Sequence, residues 1–272
     1  MIEALRFEMV RLRTIRSTYW LIGTALGFQL LFSFIIAWQL PSSGPLSGGD
    51  ETFAILVTIG ASLGFAPLFI AYILGLVGVF SMGHEYRHGM IRATLTALPN
   101  RLAVLAAKVL VAAVVSGLAA VVCVLIAVLA ALLFGVDMPT GEGFWGMTAG
   151  TVVYTMLFTV SGLAFAAITR NQTAAVALLL LVPTLVEAII GAVVLTVKFG
   201  SDDPTAKGGF AELLKFLPYD AGGQMYTRLS IDRALEIFGI VPFGAVGGGL
   251  VMATFVAILL AVSAVLFVRR DA

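Results

Sequence analysis

Long apolar runs separated by short polar segments dominate the chain. Bridging a hydrocarbon core about 30 Å thick takes roughly 20 apolar residues in a helix, and only helices or closed barrels satisfy their backbone hydrogen bonds inside lipid. Runs of that length lie at about 19–40, 53–81, 102–134, 145–168, 174–197 and 244–268. The pattern therefore predicts an all-α membrane protein in which residues 19–272 form one domain of six transmembrane helices.

The amino-acid composition supports a membrane location and disfavours nucleic acid as a binding partner. The chain is 60% hydrophobic and 11% charged, whereas soluble domains are roughly 45–50% apolar and about 25% charged. Its 16 basic and 15 acidic residues give a formal net charge of +1, so we expect no nucleic-acid partner. Cys123 is the single cysteine, and an intramolecular disulfide is therefore excluded.

The positions of the basic residues predict the orientation in the membrane. Short cytoplasmic connections carry an excess of Lys and Arg. With both termini in the cytoplasm, the basic residues outside the 198–243 segment face inward: Arg6, Arg11, Arg13, Arg16, Arg87, Arg92, Arg101, Lys108, Arg170, Arg269 and Arg270. A composition rich in Ala, Gly and Val favours a bacterial source, so we expect a multi-pass protein of the bacterial plasma membrane.

Residues 1–18 form a separate unit before the first span. Apolar residues recur there every three or four positions, at Ile2, Leu5, Met9, Leu12 and Ile15. This spacing predicts an amphipathic helix in the membrane interface. Its arginines would meet anionic lipid or a cytoplasmic protein, or the helix would serve only to fix the topology, and the sequence leaves these alternatives open.

The segment 84–88 has the sequence HEYRH, which matches the H-E-x-x-H motif. On a helix this motif places two histidines on one face for zinc, with the glutamate as general base. It would make the chain an intramembrane metalloprotease, with Glu187 as the main candidate for a third ligand. We expect the motif to lie just past the second span, where cytoplasmic water reaches it, and we therefore favour the absence of a metal site.

The cytoplasmic segment 82–101 offers a competing interpretation of Glu85. Glu85 is followed by Gly89, by a short helix that Pro99 would end, and by Arg101 at the start of the third span. This order of residues after the second of six spans resembles the coupling segment of type-2 ABC exporter permeases. The N-terminal amphipathic helix and the long outer segment extend the resemblance over the full length of the chain.

The resemblance implies a function in transport rather than catalysis. In that family the coupling segment docks in a cleft of a separate cytoplasmic ABC ATPase, and two permease subunits, identical or paralogous, form the substrate path. This chain has no G-x-x-x-x-G-K-[ST] loop, so the partner would hydrolyse ATP with Mg and this chain would bind no cofactor. The sequence does not indicate which substrate is transported. The residues that the resemblance implies for ATPase coupling are Glu85, Arg87, Gly89, Arg92, Pro99 and Arg101.

Small residues in the first span form a candidate contact face for the second permease subunit that the resemblance implies. Gly23 and Gly27 are separated by one helical turn, and small residues at that spacing let two membrane helices approach closely. They predict one face of a permease dimer.

Glu187 is the acidic residue that the span assignment places deep in the membrane. A carboxylate is costly there, so it is a functional candidate by default. Pro183 lies one turn earlier and frees a carbonyl, which bends the helix. The sequence is compatible with a gating role, an interhelical hydrogen bond, a protonated glutamate bonded to Ser or Thr, or the ion site of a secondary transporter. For the following segment, 198–243, we expect short helices lying on or dipping into the outer leaflet.

Overall fold

The computed structural model describes residues 2–39, 49–61, 68–97, 100–200, 211–226 and 241–269. In chain order the α-helices of these residues are α1 (Ile2–Thr14), α2 (Arg16–Gln39), α3 (Gly49–Thr58), α4 (Phe69–Arg87), α5 (Ile91–Ala97), α6 (Arg101–Phe134), α7 (Glu142–Thr169), α8 (Gln172–Leu181), α9 (Glu187–Gly200), α10 (Pro218–Gly223) and α11 (Gly244–Arg269). A π-helical turn (Val182–Val186) joins α8 to α9, and a 3-10 helix (Ala211–Phe216) precedes α10.

Six helices are long and apolar enough to cross a membrane, which confirms the prediction of an all-α membrane protein. They are Arg16–Gln39, Phe69–Arg87, Arg101–Phe134, Gly143–Thr169, Gln172–Val194 and Gly244–Arg269. The end of α4, the start of α6 and the end of α11 meet at one end of the bundle, because side chains of α6 contact both of the others there. We call this the basic end, and the charge distribution predicts that it faces the cytoplasm.

The second predicted span, 53–81, is not one helix. α3 ends at Thr58 and is followed by a turn in which Ile59 and Gly60 both have positive φ, 51° and 77°. α3 is buried against α2, α6 and α7, and α4 supplies the second membrane helix. Hydropathy stays high through both helices, which explains why the sequence pattern merges them.

The N-terminal helix, predicted over 1–18, ends at Thr14 and packs one side against the bundle. α1 packs on α6 and buries Ala4, Glu8 and Leu12, while Ile2 is 82% exposed. The residues of the predicted apolar face thus divide between the two sides of the helix, because Ile2 is exposed and Leu12 is buried. A carboxylate, that of Glu8, lies at the centre of the buried side.

α4 and α7 form the centre of the bundle and share its most extensive helix contact. Gly78 permits this contact, because a Cβ there would overlap the carbonyl oxygen of Thr159. Tyr154 and Phe158 of α7 are fully buried in the surrounding core. α2, α8 with α9, and α11 lie at the periphery, where less than a quarter of each apolar window is buried. This exposure is expected of helices that face lipid.

The π-helical turn interrupts the fifth membrane helix at Pro183. Proline has no N–H to donate to the carbonyl one turn earlier, and π turns of this kind are frequent at functional sites. Leu185, two residues after Pro183, is exposed, whereas Pro183 itself is buried. Glu187 follows the turn directly and is buried although the residues on both sides of it are exposed.

The connection before the last span folds back into the bundle. α10 packs against α11, and the hydroxyl of Tyr219 donates to Ser161 Oγ at 2.9 Å. Ser161 lies about 12 Å along α7 from Thr169 at the basic end. α10 therefore lies among the membrane helices, whereas residues 201–210 and 227–240 of the predicted outer segment lie outside the described residues.

Candidate functional site

Four charged side chains from three helices meet at the basic end. Glu8 and Arg11 come from α1, Glu85 from α4 and Lys108 from α6. Lys108 Nζ lies 2.5 Å from Glu8 Oε1 and 2.6 Å from Glu85 Oε1. Arg11 Nη1 lies 3.0 Å from Glu8 Oε2 and 2.9 Å from Glu85 Oε1. We call these four residues the ionic cluster, in which two positive charges balance two negative ones.

The ionic cluster is closed to solvent and tied to the backbone. The side chain of Lys108 is fully buried, and both carboxylates are 1% exposed. Arg11 also donates to the carbonyl oxygen of Ser81 in α4 at 2.7 Å. Buried charges are tolerated only when they are paired and hydrogen-bonded, so each member depends on the others. The cluster therefore joins α1, α4 and α6 into one unit.

α5 follows the ionic cluster along the chain and presents one face to solvent. Gly89, with a φ of 66°, makes the turn between α4 and α5 in a conformation that an L side chain would resist. Ile91 and Thr94 of α5 are buried against the bundle. The exposed face, which we call the docking face, consists of Arg92, Ala93, Thr96 and Ala97.

A cavity of about 390 Å³ opens at the end of α4, lined by Tyr86, Arg87, Arg170, Asn171, Gln172 and Thr173. Arg170 has a φ of 52°, a left-handed conformation that costs a non-glycine residue about 1–2 kcal/mol. Its guanidinium lies 5.8 Å from the centre of the Tyr86 ring. Two arginines thus border the cavity, and one of them occupies a position where glycine would be less strained.

Arg101 holds the end of the last membrane helix. Its Nη1 donates to the carbonyl oxygens of Val268 at 3.2 Å and Phe267 at 3.4 Å. A cation is favourable at a helix C-terminus because it meets the unpaired carbonyls and the negative end of the helix dipole. Arg101 therefore connects the start of α6 to α11, while Pro99 lies outside the described residues.

His84, Glu85 and Arg87 of the H-E-x-x-H segment lie in the last turns of α4, and His88 follows the helix as its exposed C-cap residue. Glu85 is buried in the ionic cluster, so the expectation that water reaches it freely is wrong. The His84 ring stacks on Phe80 with centroids 4.9 Å apart, and the exposed His88 ring lies 6.2 Å from that of His84. No group of three His, Cys, Asp or Glu side chains able to hold a metal occurs among the described residues. Glu187, the third ligand considered from the sequence, has other partners.

Glu187 caps the re-entrant helix α10. Its Oε1 accepts a hydrogen bond from the backbone N–H of Tyr219, and its Oε2 accepts one from the N–H of Asp220, both at 2.9 Å. The first N–H groups of a helix have no partner within it, so the carboxylate satisfies two of them. The partners are backbone amides rather than the Ser or Thr considered from the sequence. Glu187 lies about 22 Å along its membrane helix from Gln172, which places these bonds within the membrane.

Close backbone contacts wedge α10 between α7 and α11. A Cβ on Gly150 of α7 would overlap the carbonyl oxygen of Met225, and a Cβ on Gly248 of α11 would overlap that of Ala221. Together with the bonds from Glu187, these contacts tie the re-entrant segment to three membrane helices. α10 is therefore a fixed part of the helix bundle.

Sequence reasoning missed three members of the ionic cluster: Glu8, Arg11 and Lys108. It treated Lys108 only as a charge that fixes the topology. The available signal was its position inside the apolar run 102–134, because a lysine there requires a polar partner. Glu8 and Glu85 are acids predicted on the same side of the membrane.

Comparisons with known protein families and with curated proteins do not identify a relative of this chain. The function is therefore inferred from the ionic cluster, the docking face and the Glu187 cap.

Proposed function

We propose that this chain is the transmembrane permease subunit of an ATP-driven type-2 ABC exporter in a bacterial plasma membrane. In this proposal a separate cytoplasmic ATPase binds the docking face and hydrolyses ATP with Mg. A second permease subunit, identical or paralogous, completes the substrate path.

The observation that carries the proposal is the direct junction between the ionic cluster and the docking face. Glu85 lies in the last turn of α4, and only the turn containing Gly89 separates α4 from α5. Coupling between distant sites needs contiguous packed elements and polar networks. A displacement of α5 would act on Glu85, and through the cluster it would reach α6 at Lys108 and α1 at Arg11.

The charge of the basic end supports a partner with acidic groups. Glu8 and Glu85 are buried in the ionic cluster. Among the residues described at this end, the carboxylate that stays exposed is that of Glu3. Arg87 and Arg92 are both exposed there. Complementary charges accelerate association and fix its orientation, and the cavity beside Arg87 has room for an acidic side chain of the ATPase.

The same geometry disfavours the two alternatives from the sequence. A zinc protease would need Glu85 as a free general base, whereas this carboxylate is paired with two cations and turned into the bundle. A secondary transporter would need Glu187 to exchange an ion, whereas both of its oxygens accept backbone N–H bonds. We assign Glu187 the role of positioning α10 within the permease.

Co-expression with an ABC ATPase from the same genome tests the proposal. Arg92→Glu and Ala93→Glu each place an acid on the docking face, and the second does so without removing an arginine. We expect each to lower co-purified ATPase and permease-stimulated ATP hydrolysis at least tenfold, equivalent to about 1.4 kcal/mol. Arg269→Glu is the matched control, because it makes the same charge change at an exposed site of the same end. It should retain binding within about twofold, since surface sites away from a contact contribute little.

Variants of the two histidines separate the docking proposal from zinc chemistry. His84→Ala and His88→Ala should keep most of the ATPase stimulation, because neither ring belongs to the docking face. Failure of the wild-type chain to bind the ATPase, or equal losses from Arg92→Glu and Arg269→Glu, would contradict the proposal. Stoichiometric zinc whose removal stops a proteolytic activity would support the protease instead.

A further inference from the structure

The outward side of α1 combines arginines with large apolar side chains. Ile2, Arg6, Val10 and Arg13 recur at helical spacing and form one exposed stripe. Val10 is 55% exposed, and the adjoining Phe7 is 43% exposed. The ion pairs of the described residues include neither arginine. Contiguous exposed apolar surface marks an interaction site. We call Ile2, Arg6, Phe7, Val10 and Arg13 the α1 stripe.

The contacts of α1 set its level along the bundle. Lys108, which pairs with the buried side of α1, lies about 10 Å inside α6 from Arg101, and Ser81 lies about 9 Å before the end of α4. The middle of α1 therefore packs against the sides of the spanning helices, about 10 Å from their ends. Tyr19 and Trp20 follow at the start of α2 and are 60% and 76% exposed. Exposed aromatic residues of these two types are enriched at membrane–water interfaces.

We propose that the α1 stripe binds anionic phospholipid headgroups. Phe7 and Val10 enter the boundary between headgroups and acyl chains, while Arg6 and Arg13 pair with lipid phosphates. The sequence left lipid and a cytoplasmic protein as alternatives. The level of α1 favours lipid, because a protein partner would have to reach below the ends of the membrane helices to contact this stripe.

Lipid binding at the α1 stripe would also act on the ionic cluster. Glu8 and Arg11 lie on the opposite side of the same helix and bond to Lys108 and Glu85. Headgroups that hold α1 against the bundle therefore keep its charged side in the cluster. The inference does not depend on an ATPase, since it concerns only this chain and the membrane.

Hydrogen exchange of the full-length chain in nanodiscs tests this inference. Discs of phosphatidylcholine alone are compared with discs in which about a third of the lipid is phosphatidylglycerol. Each arginine at an anionic surface should slow local opening about fivefold, the equivalent of about 1 kcal/mol. We expect the α1 amides to exchange at least tenfold more slowly in the anionic discs, and added salt should reduce the difference by screening.

Two double variants give the test its specificity. Arg6→Gln with Arg13→Gln should remove the effect of phosphatidylglycerol on α1 while exchange in α4 and α7 stays unchanged, which shows that the fold is retained. Arg87→Gln with Arg269→Gln removes the same charge at the same end and should keep the lipid effect.

Three outcomes would overturn the inference. The first is equal exchange of wild-type α1 in both kinds of disc. The second is a full lipid effect in the Arg6→Gln and Arg13→Gln variant. The third is protection of α1 by an added ATPase in neutral discs with no response to phosphatidylglycerol, which would assign the stripe to a protein partner.

Discussion

Replacing Lys108 by methionine perturbs the ionic cluster at its most buried member. Methionine keeps most of the side-chain volume and removes the charge. Glu8 and Glu85 would then share one cation, Arg11, at a site where both carboxylates are 1% exposed. The variant therefore leaves an uncompensated negative charge inside the protein.

The expected cost follows from the burial of this pair. Removing one partner from a buried ion pair costs about 3–5 kcal/mol, a large part of the roughly 5–15 kcal/mol that stabilises a folded domain. Each kcal/mol shifts the midpoint of thermal unfolding by about 2–4 °C in a chain of this size class. We expect Lys108→Met to lower that midpoint by roughly 6–20 °C.

The buried thiol of Cys123 can report the thermal unfolding of the chain. Cys123 is the single cysteine, and it is buried in α6, so a thiol-reactive fluorophore labels it only as the protein unfolds. The unfolding midpoints are compared in one detergent at one heating rate. Arg269→Met is the control, because it removes an exposed cation from the same end and should change stability by about 0.5 kcal/mol or less.

A second variant tests the physical reason for the loss. Glu85→Gln combined with Lys108→Met restores the charge balance and leaves the pair between Glu8 and Arg11, 3.0 Å apart. It should recover at least half of the lost stability. Equal midpoints for Lys108→Met and Arg269→Met, or no recovery in the double variant, would refute the reasoning that the cluster is buried and mutually dependent.

Three further predictions concern the rest of the protein. Glu187→Leu should destabilise more than Glu187→Gln, because leucine leaves two amides without a partner at about 1–3 kcal/mol each; equal midpoints would remove its role as a cap. Gly248→Ala should cost about 1–3 kcal/mol through overlap with the Ala221 carbonyl, whereas Gly191→Ala, which meets only an ordinary contact at 3.9 Å, should not lower the midpoint. Arg170→Gly should keep thermal stability by relieving a left-handed backbone and yet lower ATPase stimulation; retained stimulation would show that the cavity does not contact the ATPase.

The membrane helices could be predicted because their apolar runs are long enough to define them locally. The second span could not, since hydropathy continues through α3 into α4 and the break rests on the positive φ of Ile59 and Gly60. The amphipathic pattern at the N-terminus predicted a helix but could not show which of its sides packs on the bundle. Glu8 lies on that side because it pairs with Lys108 of α6, while Ile2 is exposed.

Two of the site residues could be singled out from the local sequence, whereas their partners could not. Glu187 stood out because a carboxylate inside a span is costly, and Glu85 stood out because it belongs to the H-E-x-x-H motif and to the segment that resembles a coupling element. Their partners did not, because Lys108 lies far from Glu8 in sequence and the partners of Glu187 are backbone amides, which carry no residue-type signal. Only tertiary packing brings these groups together.

Site-specific cross-linking tests the central claim, that the docking face binds an ATPase. In a Cys123→Ala background, Ala93→Cys places a thiol on the docking face, and Trp145→Cys places one at an exposed position, 69% exposed, near the opposite end of α7. A short thiol-reactive cross-linker is applied to membranes that contain both the chain and the co-expressed ATPase. We expect a covalent product between this chain and the ATPase from Ala93→Cys and none from Trp145→Cys. A product from Trp145→Cys, or none from Ala93→Cys in an assembly that hydrolyses ATP, would contradict the central claim.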